Sequence, residues 1–474
     1  MGHAQFDITI IGGGSGGLTA ARLAAALGAK VLLLDKERLG GDCLHYGCVP
    51  SKTLIHVART VYQAKHAISL GLMPANLEID LAKINSHLQT VIGKVAENEK
   101  AYIEGVTVKF GAISFKSPTE LTLNGETFTS RNALISTGSR PFIPDVQGLE
   151  ETGYITNEDA FNLMSLPPSL LIVGGGPVGV ELGQAFRRLG TEVTIIQGPP
   201  RILPKDDPEV SAIITEVLQA EGINIVTNTR FIDAKRSGKQ KVVIAQQGDK
   251  LLTFEANEIL LAIGRQPNVE NLNLGNAHVT YNKKGIQVNE YLQTSAPNIL
   301  AIGDVIGEYL FTHVAAYQAG VAVRNALVPM SKKKTDYRVV PWSTFTDPEA
   351  ARIGLTPQEA KQRHKDVRIV KFPVTDIDRA LTENATTGFI KLVLAGNKEE
   401  IVGVHLVSAH AGELLGELAL AMQHHLTIND ILDTIHVYPT MSTGIQQTAF
   451  EAFLHGRKIK SNQKFVNALL RLRK

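Results

Sequence analysis

FDITIIGGGSGGLTAARLAAALGAKVLLLD, from Phe6 to Asp35, contains the most informative structural pattern of this chain. A short apolar strand, Phe6–Ile11, runs directly into the glycine-rich loop Gly12–Gly17. An alanine-rich segment from about Leu18 to Leu27 predicts a helix, and Lys30–Asp35 predicts a second strand. Strand, glycine loop, helix and strand in this order are typical of a βαβ unit that binds a nucleotide.

The spacing of the glycines in this loop follows the pattern GxGxxG. Gly12 would make the tight turn, Gly14 would let a pyrophosphate approach the backbone, and Gly17 would let helix and strand pack closely. The amides at the start of the helix would face the phosphates. Asp35 closes the second strand, where an acid binds ribose hydroxyls. The pattern therefore predicts a dinucleotide site.

Nearly the same pattern returns at LLIVGGGPVG, followed by a helix to about Leu189 and the strand EVTIIQ. Its three motif glycines are Gly174, Gly176 and Gly179. The strand ends in Gln197, where an acid would favour NADH. Glycine rather than alanine at the third motif position, Gly179, favours NADH. Arg201 lies four residues after Gln197 and could meet the 2′-phosphate of NADPH, so NADPH is also possible. The chain therefore carries a second dinucleotide site for NAD(P)H.

Both cysteines of the 474 residues lie in GGDCLHYGCVPSK, as Cys43 and Cys48. In a reducing compartment a lone cysteine pair is more often catalytic or metal-binding than structural. With one nearby histidine, His45, and no CxxC spacing, a zinc site is disfavoured. A helix starting at about Ser51 would put Cys48 near its N-terminus, where the dipole and Lys52 favour a thiolate.

The remaining patterns predict an α/β protein with an appended α+β domain. A helix is expected over about 81–104, and LTLNGETFTS predicts a hairpin with a type I′ turn at Asn124-Gly125. NEILLAIGRQPN and NILAIGDV predict buried strands. After a linker at about Lys332–Pro341, strands alternate with the helices GELLGELALAMQHH and Thr443–His455.

Composition describes a globular, core-forming chain, with 44% apolar and 20% charged residues. The net charge of +2 gives no reason to expect nucleic acid or a membrane as partner. No run of about 18 apolar residues predicts a membrane span. A cytoplasmic location is the default expectation.

Taken together, these motifs resemble the class I pyridine nucleotide-disulfide oxidoreductases, a family that includes dihydrolipoamide dehydrogenase, glutathione reductase and mercuric reductase. The resemblance implies two Rossmann-like dinucleotide-binding domains and a C-terminal dimerisation domain. It also implies bound FAD and a homodimer, in which the partner's C-terminal domain completes each active site. The implied domains are 1–149 for FAD with the redox disulfide, 150–270 for NAD(P), 271–337 for a second FAD segment, and 338–474 for dimerisation.

The resemblance also implies roles for individual residues. Electrons would pass from the nicotinamide through the flavin to a Cys43–Cys48 disulfide, and Cys43 would meet the acceptor. Lys52 would lie beside the flavin and pair with Glu181. The other implied cofactor-binding residues are Gly12, Gly14, Gly17, Asp35, Thr137, Gly138, Asp304 and Ala316 (beside His313) for FAD, and Gly174, Gly176, Gly179, Gln197 and Gly264 for the second nucleotide.

One position departs from the family. Dihydrolipoamide dehydrogenase and glutathione reductase have an acid–base histidine before a Pro-Thr pair and a glutamate five positions later. In HVYPTMSTG, Tyr438 and Thr443 occupy those positions. A tyrosine titrates near pH 10, against about 6.5 for histidine, and is a poor proton shuttle. We hypothesise that His436 supplies the missing proton transfer.

These features favour a reductase of disulfides, in small molecules or proteins, or of soft metal ions, nearest to the mercuric reductase-like branch. The C-terminal cysteine pair that receives mercury in that branch is missing, and no resident metal is predicted. Dihydrolipoamide dehydrogenase is the alternative. A flavin-bearing redox sensor or complex subunit with little turnover is an alternative of a different class.

Overall fold

The computed structural model describes residues 5–73 and 77–472, which form two compact units. The first unit comprises Met1–Gly198 and Thr229–Asp336, and the second comprises Pro199–Asn228 and Tyr337–Lys474. The later boundary falls within the predicted linker. The predicted nicotinamide domain is divided, because part of it belongs to the second unit. The four predicted domain boundaries stay a prediction.

The first βαβ unit forms at the predicted strands, but its helix begins at Ser15, three residues earlier than expected. The early start follows from the glycines, which form the first helical turn where it packs on the strand. The elements of this segment are β1 (Phe6–Ile11), α1 (Ser15–Ala26), β2 (Val31–Asp35), α2 (Gly41–His45), α3 (Cys48–Lys65), α4 (Leu81–Ala101), β3 (Thr107–Phe110), β4 (Ile113–Ser117), β5 (Glu120–Leu123), β6 (Glu126–Ile135), β7 (Ser139–Pro141), α5 (Leu149–Thr152) and α6 (Asn157–Ala160).

The first sheet is built around β1, which pairs in parallel with β2 on one side and β6 on the other. Strand β3 extends it beyond β2, and β4 and β5 continue antiparallel from β6. The predicted hairpin between β5 and β6 is confirmed. Asn124 and Gly125 both have positive φ, 50° and 89°, as a type I′ turn requires.

The second βαβ unit repeats this arrangement, with β8, β9 and β14 in parallel. A three-stranded antiparallel sheet, β11 to β13, follows it, and β18 returns to the first sheet beside β6. The elements are β8 (Ser169–Val173), α7 (Pro177–Leu189), β9 (Glu192–Ile196), α8 (Pro208–Ala220), β10 (Asn224–Val226), β11 (Arg230–Ser237), β12 (Gln240–Gln247), β13 (Lys250–Ala256), β14 (Glu258–Leu261), β15 (Arg265–Pro267), β16 (Tyr281–Asn282), β17 (Gly285–Ile286), β18 (Ile299–Ala301) and α9 (Thr312–Leu327).

The second unit contains a five-stranded antiparallel sheet in the order β19-β20-β23-β22-β21. Apolar side chains of the sheet pack with those of α12 and α14 in one core. The elements are β19 (Pro341–Thr344), β20 (Glu349–Gly354), α10 (Pro357–Arg363), β21 (Val367–Pro373), α11 (Asp378–Thr382), β22 (Phe389–Ala395), β23 (Glu400–Ser408), α12 (Ala411–Gln423), α13 (Ile428–Asp433), α14 (Thr443–Leu454) and α15 (Arg457–Leu472).

A buried charge cluster fixes α8 within this unit. The Nζ atom of Lys391 lies 2.9 Å from Asp207 Oδ2 and 2.6 Å from Glu209 Oε1. Lys391 and Asp207 are both almost fully buried. Among the helices that the structure describes, none is long and apolar enough to span a bilayer.

Candidate active site

The two cysteines lie on successive helices that are separated by Tyr46 and Gly47. Cys43 is in α2, and Cys48 is the first residue of α3. The helix begins three residues before the predicted Ser51, because Pro50 lies in the first turn, where a missing N–H costs nothing. The break between α2 and α3 supplies the local distortion that the five-residue spacing requires.

Backbone contacts fix the position of this segment against the first glycine loop. The Gly40 N–H donates to Gly13 O at 2.8 Å. Gly41 has a φ of +62°, and a Cβ added there would lie 2.8 Å from the Cα of Gly14. Any side chain at this position would therefore push the two loops apart. The glycine pair holds the cysteines beside the predicted FAD loop.

Mutual contact moves the pKa values of the two cysteines in opposite directions. The thiol of Cys43 hydrogen-bonds to Cys48, and this bond lowers the pKa of Cys48 to about 6. The same bond, together with burial, raises the pKa of Cys43 well above its usual range. At neutral pH the reduced pair is therefore a Cys48 thiolate beside a Cys43 thiol.

Two further groups stabilise the thiolate. The Sγ atom of Cys48 lies 3.5 Å from the hydroxyl of Thr312, which is the first residue of α9. Lys52, one turn along α3, also lowers the pKa of Cys48 by its charge. Its Nζ lies 2.8 Å from Oε2 of the buried Glu181, so the structure contains the ion pair that the resemblance implies.

The first glycine loop has the shape that a dinucleotide requires. A Cβ added at Gly12 would lie 2.3 Å from Ser136 O, and a Cβ added at Gly17 would lie 1.8 Å from Gly12 O. At Gly14 the nearest atom would be 3.7 Å away, so the loop is open where a pyrophosphate would approach. Asp35 Oδ2 accepts the Gly13 N–H at 2.6 Å.

A cavity of about 470 Å³ extends from this loop to the cysteines. One wall carries an ionic network in which Ser139 Oγ donates to Asp304 Oδ2 at 2.6 Å. Arg265 donates to Ser139 Oγ at 2.7 Å and lies 3.1 Å from Asp42 Oδ2. Burial raises the pKa of Asp304.

The composition of the cavity wall fits FAD. Asp42 Oδ1 is buried without a protein hydrogen-bond partner, and an orphaned acceptor beside an open glycine loop suits a ligand that carries hydroxyl groups. Arg265 and Asp42 were not identified from the sequence. The sequence indicated them only in that Arg265 lies in the segment GRQPN and Asp42 in the segment GGDC.

The other predicted FAD residues lie at or near this cavity. Thr137 and Gly138 line it, and Gly138 has a φ of +66° with open space where a Cβ would be. Thr137 Oγ1 donates to Asn268 O at 2.7 Å. Ala315 lines the cavity one residue before the predicted Ala316.

The second glycine loop has the same construction. A Cβ added at Gly174 would lie 2.3 Å from Ala262 O, and a Cβ added at Gly179 would lie 1.9 Å from Gly174 O. Gly176 faces open space. Gln197 Oε1 accepts the Gly175 N–H at 2.8 Å, as Asp35 does in the first loop. Gly264 also faces open space. The amide oxygen of Gln197 therefore accepts the same hydrogen bond from a loop N–H that a carboxylate accepts in the first loop.

In the second unit, His436 and Tyr438 differ in exposure. The ring of His436 is nearly buried, with Nε2 2.9 Å from Glu417 Oε1 and Nδ1 2.9 Å from Thr434 O. Tyr438 is exposed and donates to Asp378 Oδ2 at 2.8 Å. This hydrogen bond raises the pKa of Tyr438, so its phenol stays protonated at neutral pH. Glu417 was not identified from the sequence.

Comparison with protein families gives matches over most of the chain. The family described as pyridine nucleotide-disulphide oxidoreductase matches residues 6–320. The dimerisation domain of the same family matches residues 340–449, which supports a homodimer.

Several known proteins are similar to this chain over nearly its whole length. A mercuric reductase from Staphylococcus aureus is 37% identical, over 94% of this chain and 82% of the relative. A dihydrolipoyl dehydrogenase from Thermus scotoductus is also 37% identical, over 94% of this chain and 96% of the relative. The structure of the HOCl-induced flavoprotein disulfide reductase RclA from Escherichia coli matches with a TM-score of 0.83 and 28% identity, over 93% and 98%. The Cu(II) complex of RclA matches with a TM-score of 0.84 and 26% identity, over 94% and 99%.

Proposed function

Because the chain belongs to the pyridine nucleotide-disulphide oxidoreductases, which are FAD-dependent and use NAD(P)H, we propose that it reduces a thiophilic metal ion, copper(II), through Cys43 and Cys48. The observation that carries this proposal is the surroundings of Cys48, whose Sγ lies 3.5 Å from the Thr312 hydroxyl and one helical turn from Lys52, together with a phenol, Tyr438, in place of the acid–base histidine. The Cu(II) complex of RclA supports it.

The residues that would hold FAD are those of the first glycine loop, with Asp35 at the ribose and Asp304 and Arg265 along the cavity wall. When bound, FAD supplies the electron pair from NAD(P)H that returns the disulfide to one thiolate and one thiol. The protein positions the acceptor side of this chemistry with its own residues.

The proton on Cys43 separates the candidate acceptors. To attack a disulfide, Cys43 must lose this proton to a base, since only the thiolate is nucleophilic. The base of the related enzymes is replaced by Tyr438, whose raised pKa makes it unsuitable. A thiophilic metal ion needs no such base, because metal binding itself displaces a thiol proton.

The proposed reaction is balanced without any further reagent. The thiolate of Cys48 and the thiol of Cys43 together give up two electrons, one to each of two Cu(II) ions. A sulfur–sulfur bond forms between the two residues, two Cu(I) ions are produced, and the proton of Cys43 is released. Lys52 and Thr312 hold Cys48 as the thiolate between turnovers.

Copper(II) suits this chain better than mercury(II). Two thiolates bind mercury(II) tightly, and this chain has no cysteine besides Cys43 and Cys48 to which the metal could be transferred. Dihydrolipoamide dehydrogenase activity is the second candidate, since the chain covers 96% of the Thermus enzyme.

An acceptor panel tests the proposal. The FAD-loaded protein is mixed anaerobically with NADH or NADPH and then with Cu(II), Hg(II), lipoamide or glutathione disulfide, and a Cu(I)-specific chelator traps the product. Cu(II) should give the highest kcat/KM, and Cys43→Ser and Cys48→Ser should each abolish it. Faster turnover with lipoamide, or Cu(II) reduction that survives Cys43→Ser, would contradict the proposal. A long-wavelength charge-transfer band without turnover on any acceptor would favour the sensor.

A further inference from the structure

The helix α15, Arg457–Leu472, lies outside both segments that match the family. Residues 463 and 465–472 of this helix are all exposed. Five of them are large apolar residues with exposed fractions between 45% and 83%: Phe465, Val466, Leu469, Leu470 and Leu472. Neither the sheet core of the second unit nor the matched dimerisation domain explains this apolar surface.

The exposed apolar residues lie on one side of the helix. Phe465, Leu469 and Leu472 follow one another at intervals of four and three residues, and Val466 and Leu470 are also four apart. These intervals place them along one face, and a contiguous apolar face in water indicates a surface that binds something.

The charge of the segment indicates what the face binds. Residues 457–474 include seven lysines and arginines, and residues 452–474 include no aspartate or glutamate. Four of the five basic positions within the helix, 457, 460, 464 and 471, are spaced three, four and seven apart, which is the spacing of one side of a helix. The fifth, Lys458, is seven residues before Phe465 and falls on the apolar side near the start of the helix. A helix with basic residues on one side and Phe and Leu on the other complements an anionic lipid surface, since the chains enter the bilayer and the cations meet the headgroups.

We propose that α15 binds the surface of an anionic lipid bilayer and attaches the reductase to it. The helix lies in the plane of the interface and does not cross the membrane. This inference revises the expectation, drawn from the net charge of the whole chain, that no membrane is a partner. The net charge of +2 conceals the charge of the segment, because the remaining residues contain 41 lysines and arginines against 46 aspartates and glutamates, a net charge of −5.

A flotation assay with the FAD-loaded full chain tests the proposal. Vesicles contain either phosphatidylcholine alone or equal parts of phosphatidylcholine and phosphatidylglycerol. The protein should float with the anionic vesicles and remain at the bottom of the gradient with the neutral ones. Lys464→Gln combined with Arg471→Gln should weaken binding roughly 30-fold, because each basic residue near an anionic surface contributes about fivefold to tenfold.

Variants of the apolar face complete the test. Leu469→Glu with Leu470→Glu should abolish flotation, whereas Leu251→Glu, at an exposed leucine of β13, should float like the parent. If the double leucine variant loses its flavin, the Lys464 and Arg471 variant decides alone. Absence of flotation, or equal binding to both kinds of vesicle, would overturn the proposal. A third contrary outcome is that the parent does not bind vesicles and that, without lipid, light scattering gives a smaller mass for the double leucine variant than for the parent. That result would assign the apolar face to contacts between copies of the chain.

Discussion

At the scale of single residues, the thiolate of Cys48 depends on three neighbours: the thiol of Cys43, the hydroxyl of Thr312 and the charge of Lys52. Since the pKa of Cys48 is lowered to about 6, its sulfur is charged above that pH and protonated below it. The alkylation rate of the reduced protein should therefore be half-maximal near pH 6, level off about one pH unit higher, and fall about tenfold per pH unit well below pH 6.

Replacing Lys52 by methionine should move this midpoint upward. The change removes a positive charge and leaves Glu181, which raises the pKa of Cys48, without that counter-charge. Lys65→Met, at the other end of α3, is the matched control and should leave the alkylation profile as it is. A profile that Lys52→Met does not shift would show that Cys43 and Thr312 alone set the charge.

Arg265 joins Asp42 to Ser139 and Asp304, so its replacement should affect both the fold and the cofactor. We expect Arg265→Met to lower the free energy of unfolding by about 2 kcal/mol, since it removes charge-assisted hydrogen bonds. It should also speed flavin release, measured by flavin fluorescence during urea titration. Arg131→Met is the control. The ion pair of Arg131 with Asp7 is exposed and worth at most about 1 kcal/mol.

The role of His436 stays a prediction, and it can be separated from metal reduction. If His436 transfers protons, His436→Ala should lower turnover with glutathione disulfide and alter its pH profile, and it should lower Cu(II) turnover much less. Tyr438→Phe removes the exposed phenol and should have a smaller effect on the disulfide reaction. Equal losses with both acceptors would indicate that His436, held between Glu417 and Thr434, has only a structural role.

At the scale of elements, the glycine loops determine how closely helix and strand pack. A Cβ at Gly17 would lie 1.8 Å from Gly12 O, which is backbone and cannot move without displacing β1. Gly17→Ala should therefore lower the free energy of unfolding by about 3 kcal/mol, at the upper end of overpacking costs, and weaken flavin binding.

A second glycine provides the control for this effect. Gly93 lies in α4, and an added Cβ there would have no neighbour within 4 Å. Gly93→Ala should raise the free energy of unfolding by up to about 1 kcal/mol, because alanine favours the helix. Chemical denaturation measures both variants. Destabilisation of similar size in the two would contradict the packing argument.

The sequence predicts these elements well where a local pattern is sufficient. The strands of both βαβ units, the Asn124-Gly125 hairpin and α14 all lie within a residue or so of their predicted positions. It does not predict pairings between distant residues. Arg265 with Asp42 and His436 with Glu417 are ordinary charged or polar residues until the fold brings them together.

At the scale of the whole molecule, the second unit depends on a buried charge. Lys391 is almost fully buried between Asp207 and Glu209, and α8 is attached to the sheet through it. Lys391→Met would leave Asp207 buried without that cation. We expect the free energy of unfolding of this unit to fall by about 3 to 5 kcal/mol.

Lys371 is the matched control, since it pairs with the same Glu209 at 2.6 Å but is half exposed. Lys371→Met should cost at most about 1 kcal/mol. Denaturation followed by the fluorescence of the single tryptophan, Trp342, reports on this unit. If both variants were equally stable, the buried pair would contribute no more than an exposed one.

The amide of Gln197 has a consequence for how the reductase is supplied. A carboxylate at this strand end would repel the extra phosphate that distinguishes NADPH, whereas an uncharged side chain imposes no such penalty. We therefore expect the enzyme to accept both NADH and NADPH, so that oxidation of one of these two pools leaves the other as a source of electrons.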